Sequence, residues 1–308
     1  MLMVLPILTT YICRKQWKEY IDKYWFSTNI RKISDVALAV AIGVLMQYSV
    51  YKIFGVILGR ITIFPTREVY DLFFRAYSVL SVFLGMGIVI LVQQILKKID
   101  KTSTLKILKC IIIIVAMIIN SSRTGVLAAI ATIFLIVLKI VKNIDKKTRI
   151  TILLVVLSAA LLFIGLMSLN RRDMANFFSD NQRTETYKNG IEILLSSPTS
   201  FIIGSGLDEA NYNEIMPHNF LVETLLTSGI IIAFIVVFYL LKLVMNIRKT
   251  NYIYIVIHIL ISSMFITCFY GNPFTTIIFI LAIIEASYEK EVIVDGKTKI
   301  SNGSSSDL

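Results

Sequence analysis

Long apolar stretches, separated by short polar connectors, run along most of this chain. They predict membrane-spanning helices at about residues 35–58, 76–96, 105–139, 150–168, 219–242, 252–270 and 273–288. The stretch at 105–139 is too long for one crossing, so it predicts two short spans hinged at the polar hexapeptide Asn120–Gly125. Because about 20 apolar residues cross a bilayer core, the pattern indicates an all-α polytopic membrane protein with about 8–9 transmembrane helices, counting a short segment at 1–13.

The longest segment too polar to cross a bilayer, residues 169–217, lies between the sixth and seventh predicted spans. Ser179–Gln182 has a capping-box pattern, and the apolar residues that follow recur at helical spacing, which predicts an amphipathic helix near 181–196. Its apolar face would contain Tyr187, Ile191, Leu194 and Leu195. We therefore expect one integral membrane domain at 1–290 that includes this loop, followed by a polar cytoplasmic tail at 291–308.

The composition and the placement of charge agree with this topology. Apolar residues make up 56% of the chain and charged residues 17%, and the mean hydropathy is +0.76, which excludes a soluble domain of this length. A net charge of +11 would suggest nucleic acid in a soluble protein, but 22 of the 31 Lys and Arg residues lie in connectors on one side of the predicted membrane. That side is cytoplasmic by the positive-inside rule. We thus expect no nucleic-acid partner, and we expect the long loop and the hinge to face outside.

Arg123 lies in the hinge, between two strongly apolar stretches. An arginine at membrane depth is costly unless it is paired or reaches the interface. Hydroxyl groups at Ser121, Ser122 and Thr124 and the N-terminus of the next helix favour an anion at this point. Arg123 is therefore either a ligand for an anionic substrate or a residue that extends to the interface at a hairpin turn.

Further candidates lie in the outer loop and directly after it. Arg183 opens the amphipathic helix, and His218 stands before the helix that starts at Asn219. A helix N-terminus disfavours imidazolium, so a neutral His218 could accept a proton there. Glu223, one turn into that helix, could pair with an arginine. The ordinary alternatives are an exposed surface arginine at position 183 and an interfacial capping histidine at position 218.

Other motifs point to structure rather than chemistry. Gly204-Ser205-Gly206 reads as a tight turn, because a lone G-x-G without a dinucleotide fingerprint is a weak signal. His258 lies in mid-span without a companion, and the three cysteines lack metal-ligand spacing, so we expect packing roles for them and neither a metal nor a cofactor. Without a serine elbow, a Walker loop, an HExxH motif or paired carboxylates, the chemistry would rest on arginines and one histidine.

Taken in order, three motifs resemble those of the O-antigen ligase and polysaccharide polymerase superfamily. They are the S-S-R-T-G sequence that ends at Gly125, the R-x-x-x-Y-x-x-G sequence from Arg183 with the later G-S-G, and the P-H-N-F-L sequence from Pro217 that leads to T-S-G at Thr227–Gly229. The motif-bearing part runs from about Arg75 to Gly229. Each motif is short and degenerate, and their order and common outward placement carry the resemblance.

The resemblance implies a membrane glycosyltransferase that uses undecaprenyl-pyrophosphate-linked oligosaccharides as donors, without a metal, at the outer face of the bacterial inner or plasma membrane. It implies that Arg123 and Arg183 hold the pyrophosphate and that His218 serves the acceptor hydroxyl, all three in one outward-facing cavity. The expected substrate-binding residues are Arg75, Asn219, Tyr187 and Glu223, and Tyr187 stands where the family often has tryptophan.

Several functions fit this resemblance. The leading one is a polymerase that joins lipid-linked repeats into a surface polysaccharide such as O-antigen, capsule or exopolysaccharide, with the lipid bilayer, a flippase and chain-length regulator proteins as expected partners. A glycan ligase with a different acceptor is the close alternative. A transporter or flippase of the same lipids is more distant, since inverted repeats are not visible, and a non-catalytic scaffold is the plainest reading. The family usually has more helices before the hinge, and a truncated N-terminus would leave the chain inactive.

Overall fold

The structure is a computed structural model, and it describes residues 23–64, 67–72, 74, 77–96, 103–120, 122–142, 145–169, 183–206, 219–250, 252–266 and 275–286. This described part is mostly helical. Its helices are α1 (Lys23–Phe54), α2 (Tyr77–Leu96), α3 (Ser103–Asn120), α4 (Arg123–Val141), α5 (Lys146–Leu169), α6 (Arg183–Leu195), α7 (Pro198–Ile203), α8 (Phe220–Ile247), α9 (Ile253–Ser263) and α10 (Thr275–Ala286). Two strands, β1 (Arg60–Phe64) and β2 (Arg67–Leu72), lie between α1 and α2.

Within the described residues, five helices are long and apolar enough to cross a membrane. They are Lys32–Phe54 of α1, all of α2, all of α4, Lys146–Leu166 of α5, and α8. Two shorter apolar helices, α9 and α10, follow. The long stretch at 105–139 is divided into α3 and α4 at the hexapeptide, as predicted. The total of about 8–9 spans, the orientation and the external position of the loop stay predictions.

The connector between α1 and α2 corrects the all-α expectation. β1 and β2 form an antiparallel hairpin in which Ile61 stands opposite Tyr70. Gln47 of α1 fastens this hairpin, since its Nε2 donates to Arg60 O over 3.0 Å and its Oε1 accepts from Leu72 N over 3.2 Å. The hairpin is therefore an ordered part of the structure rather than a surface connector without regular structure.

The chain divides into two compact units. The hinge unit comprises Arg31–Gln182 and His258–Ile266, and the loop unit comprises Met1–Ile30, Arg183–Ile257 and Thr267–Leu308. In the hinge unit, α2 is the central helix and is buried from Leu80 to Leu91, where it packs against α3 and α4. None of the residues in the apolar span of α5 is buried, which suits a helix whose side chains face lipid.

In the loop unit, α6 and α7 pack against α8. α8 is not one continuous helix, because Gly229 has φ +72° and ψ 178° and so interrupts it. The segment before the break, Phe220–Ser228, is called the half-helix below. The span expected at 219–242 is found as α8, which consists of two helical segments that meet at Gly229. Gly204 and Gly206 both have positive φ, which confirms the predicted turn after α7.

Candidate functional site

Arg123 is the first residue of α4, at the head of the hinge. Ser122 precedes the helix with an extended backbone, at φ −89° and ψ 118°. Arg123 itself is half-buried, whereas Thr124 and Gly125 are buried. This places the arginine where the partial positive charge of the helix N-terminus adds to its own, as an anion site requires.

The contact between α2 and α4 fixes the position of this first turn. Ser81 Oγ donates a hydrogen bond to Ser122 O over 3.1 Å. Gly125 lies so close to α2 that a Cβ added to it would lie 2.1 Å from Ser81 O. A Cβ on Gly85 would lie 2.8 Å from Gly125 O and 2.9 Å from His258 Cε1. The glycine of the S-S-R-T-G motif is therefore needed for close helix packing directly beneath Arg123.

His258 lies in this packing, fully buried, with Nε2 3.0 Å from Val82 O. A carbonyl can only accept, so Nε2 carries the proton. The expectation that His258 is structural is consistent with this contact.

The β-hairpin supports the hinge from another side. Asn120, the last residue of α3, is buried, and its Nδ2 donates to Tyr70 O over 3.3 Å. The Tyr70 hydroxyl donates to Glu68 Oε2 over 2.6 Å. Burial raises the pKa of Tyr70, and the hydrogen bond to Glu68 raises it further, so the tyrosine stays neutral as a donor. Arg75, a predicted substrate ligand that follows the hairpin, lies outside the described residues.

α6 confirms the helix predicted near 181–196, and Arg183 is its first residue. Tyr187 is half-buried. The apolar face differs in part from the prediction, since Gly190 and Leu194 are buried whereas Ile191 and Leu195 are exposed. The buried face is set by contact with α8: a Cβ on Gly190 would lie 3.0 Å from Leu226 Cδ1. The R-x-x-x-Y-x-x-G motif thus places its arginine on a helix whose glycine touches the half-helix.

The half-helix begins directly after Asn219. The Asn219 side chain caps it, because Oδ1 accepts from Leu221 N over 3.0 Å and from Val222 N over 3.3 Å. Glu223 is buried on the first turn, with 1% of its surface exposed, and its Oε2 has no hydrogen-bond partner among the described residues. Asn219 therefore has a structural role as a cap, and the substrate-binding roles of Asn219 and Glu223 stay predictions.

The structure places some of the candidate residues on helices that pack together, and it does not show the relative positions of the others. Within the loop unit, the helix that starts at Arg183 packs against the helix that starts one residue after Asn219. His218 lies outside the described residues, and Arg123 belongs to the hinge unit. The convergence of Arg123, Arg183 and His218 in one cavity stays a prediction.

A family comparison bears on this part of the chain. Residues 108–237, from within α3 to within α8, match the family model described as O-antigen ligase. The resemblance to the O-antigen ligase and polysaccharide polymerase superfamily is confirmed over this part of the chain, and the matched residues include Arg123, Arg183 and His218. No curated protein and no solved structure matches the chain.

An apolar groove among the helices of the hinge unit was not expected from the sequence. It has a volume of about 370 Å³ and is lined only by apolar side chains of α2, α3, α4 and α5, among them Ala129, Ala160 and Phe163. Ala129 lies six residues after Arg123 on α4, roughly 9 Å along the helix axis. The groove therefore starts less than two turns from the arginine.

Other contacts of the site were also missed, although the sequence contains signals for some of them. The segments R-I-T-I-F and R-E-V-Y-D-L are rich in β-branched and aromatic residues and are separated by Pro65-Thr66, which is a hairpin pattern. The close approach at Gly190 was signalled only by its place in a motif. The hydrogen bond from Asn120 to the hairpin and the break at Gly229 had no local signal.

Proposed function

We propose that the protein is a polymerase that joins undecaprenyl-pyrophosphate-linked oligosaccharide repeats into a surface polysaccharide at the outer face of the bacterial inner or plasma membrane. One observation carries the proposal: within an O-antigen ligase domain, the helix that begins with Arg183 packs against the helix that follows His218. Arg183, assigned to the leaving phosphate, thus begins one of two packed helices, and His218, assigned to the acceptor, stands two residues before the other in the sequence.

The reaction uses these residues as follows. An acceptor hydroxyl oxygen attacks the anomeric carbon of the growing glycan, and the bond from that carbon to the phosphate oxygen breaks. The pyrophosphate leaves on its lipid with the electron pair, and the hydroxyl proton passes to the neutral imidazole of His218. Arg123 and Arg183 stabilise the negative charge on the leaving group, since the guanidinium fork matches phosphate oxygens.

The apolar groove supports a lipid-linked donor. A pyrophosphate held at Arg123 would place the first part of its polyprenyl tail along α4, where the groove begins at Ala129. A soluble sugar nucleotide carries no lipid tail that could occupy such a groove. α5, which contributes part of the groove lining, has no buried residue in its apolar span, and this suits entry of a lipid from the bilayer.

A ligase is the second candidate, because the matching family model is that of the O-antigen ligases. It would share the donor chemistry and differ in the acceptor, which would be a different glycan or lipid in place of the next repeat. The reaction product distinguishes a polymerase from a ligase. A polymerase makes a ladder of chain lengths on the undecaprenyl carrier, whereas a ligase moves a finished glycan off that carrier.

The test uses cells that lack their own copy of this gene and carry variants at matched membrane expression. Arg123→Lys, Arg183→Lys and His218→Ala should each abolish long polymer on a gel, since losing one donor to a developing charge costs about 10²–10³ in rate. His218→Ala should still bind lipid-linked donor. Lys188→Ala is the matched control, because it removes a positive charge from an exposed position on the same helix as Arg183.

Normal polymer from His218→Ala would remove the histidine from the mechanism. Normal polymer from both Arg→Lys variants would leave only nonspecific charge attraction at those positions. If Lys188→Ala also loses long polymer, α6 is sensitive to substitution in general and the loss in Arg183→Lys does not indicate a defined phosphate contact.

A further inference from the structure

Two glycines of the loop unit lie where separate segments of backbone touch. A Cβ on Gly204 would lie 2.5 Å from Ser228 N, and a Cβ on Gly229 would lie 2.1 Å from Ile202 O, whereas real Cβ contacts are essentially never under 3.0 Å. Both residues also have positive φ, +86° at Gly204 and +72° at Gly229, which side chains disfavour. Each position therefore requires glycine for two reasons, its backbone conformation and the close approach.

Ser205 completes this contact with hydrogen bonds. Leu226 O accepts from Ser205 N over 2.8 Å and from Ser205 Oγ over 2.9 Å. A helix that breaks leaves carbonyls of its last turn without intrahelical partners, and a bilayer offers no water in their place. Ser205 supplies partners at the end of the half-helix, three residues before the break at Gly229. We call Gly204, Ser205 and Gly229 together the glycine lock.

We propose that the residues of the glycine lock are positioning residues for glycan transfer, and this inference rests on the proposed function. The lock breaks α8 at Gly229 and fixes the end of the half-helix on the turn after α7. The start of the half-helix, with its cap Asn219, is then held at a set distance from the start of α6 at Arg183, and His218 precedes Asn219 in the sequence. In this way the G-S-G and T-S-G motifs influence glycan transfer without contacting the substrate.

The distances along the two helices show that a small tilt of the half-helix would disturb the site. Gly190 of α6 meets Leu226 of the half-helix; Arg183 lies seven residues before the former, and Phe220, the first residue of the half-helix, lies six before the latter. At 1.5 Å per residue both lie roughly 11 Å or less from the contact. A tilt of about 10° at Gly229 would move the start of the half-helix by about 2–3 Å, and a misplacement of about 1 Å can cost about 10²-fold in rate.

The decisive comparison is Gly204→Ala against Gly206→Ala. Both glycines have positive φ, +86° and +77°, so alanine strains the backbone at either position. A Cβ on Gly206 meets nothing within 4 Å, whereas a Cβ on Gly204 meets the backbone of α8. Ser205→Ala tests the hydrogen bond without a steric clash, and Ser205→Thr, which keeps the hydroxyl, should restore function.

Two measurements are made on each full-length variant. The first needs no substrate: disulfide trapping between Gly190→Cys and Leu226→Cys, in a chain whose native cysteines are alanine, reports the packing of α6 on the half-helix. A Cβ on Gly190 would lie 3.0 Å from Leu226 Cδ1, so the two positions are in direct contact and a cysteine pair there reports whether that contact persists. The second compares transfer of lipid-linked repeats in membrane vesicles with the binding of undecaprenyl pyrophosphate by the purified protein.

We expect Gly204→Ala to reduce trapping and to lower the transfer rate by about 10²-fold, with binding of undecaprenyl pyrophosphate changed by less than about threefold. Ser205→Ala should show the same pattern more weakly, and Gly206→Ala should retain both trapping and transfer. Transfer that survives in Gly204→Ala, or is lost without any change in trapping, would overturn the positioning role. A different outcome would refute the proposed function: the cysteine pair forms its disulfide in a chain whose glycine lock is intact, yet the native chain transfers no glycan.

Discussion

Gly125→Ala tests whether close packing of α2 on α4 holds the site together. The added Cβ would lie 2.1 Å from Ser81 O and 2.3 Å from Ser81 Oγ. Restoring an ordinary contact of 3.4 Å requires the two helices to separate by roughly 1.3 Å at this point. The separation also lengthens the hydrogen bond from Ser81 Oγ to Ser122 O, now 3.1 Å, and it moves the turn that begins with Arg123.

The size of the effect follows from three contributions. Overpacking a tight contact costs about 1–3 kcal/mol, and loss of the Ser81 hydrogen bond costs about 1 kcal/mol. Alanine in place of glycine within a helix raises the free energy of unfolding by about 1 kcal/mol. Gly125→Ala should therefore lower the free energy of unfolding by about 1–3 kcal/mol. Gly165→Ala on α5 is the matched control, since its Cβ would meet nothing within 4 Å and only the helix gain applies.

The assay is the thermal unfolding midpoint of the detergent-solubilised protein, with polymer length in cells as the second readout. At about 2–4 °C per kcal/mol, Gly125→Ala should unfold roughly 2–12 °C below the native chain, and Gly165→Ala should unfold at the same temperature or slightly above it. Long polymer should be lost only in Gly125→Ala. Equal midpoints for the two alanine variants would show that the packing at Gly125 is looser than the structure indicates.

Two more predictions concern the hinge unit. Ala160→Phe should fill the apolar groove and lower polymer yield at unchanged expression, whereas Ser158→Phe, on the same helix but outside the groove, should not; equal yields from the two variants would exclude the groove from substrate binding. His258→Leu removes the donor to Val82 O and should destabilise the protein by about 1–3 kcal/mol. His258→Gln keeps a donor and should lose less, and identical unfolding midpoints for both substitutions would show that the hydrogen bond contributes nothing.

The sequence predicts those parts of the fold that local pattern determines. The hydrophobic period located α2, α4, α5 and α6, and the polar hexapeptide Asn120–Gly125 located the division between α3 and α4. These helices could be predicted because a bilayer accepts a helix on its apolar composition, which the sequence alone provides. The hairpin was missed although its alternation of side chains was visible, since the prediction rested on apolar stretches long enough to cross a bilayer.

The candidate site was predictable only as residue types. Arg123 was found because an arginine is costly at membrane depth, and Arg183 because it opens the predicted amphipathic helix; both do begin helices. Their supports could not be predicted, since Asn120 bonds to a carbonyl 50 residues earlier and Ser81 to one 41 residues later. Such contacts depend on how helices cross, which hydropathy does not encode.

The break in α8 shows this limit most clearly. T-S-G within an apolar run reads as small residues that allow tight packing inside one span, and a glycine alone does not require a helix to end. What interrupts the helix is a partner: Gly204, 25 residues earlier, brings its backbone against Ser228 and Gly229. The earlier glycine is equally uninformative by itself, as a lone G-x-G. Neither motif has a physical meaning until the other is placed beside it, and together they explain why both positions exclude a side chain.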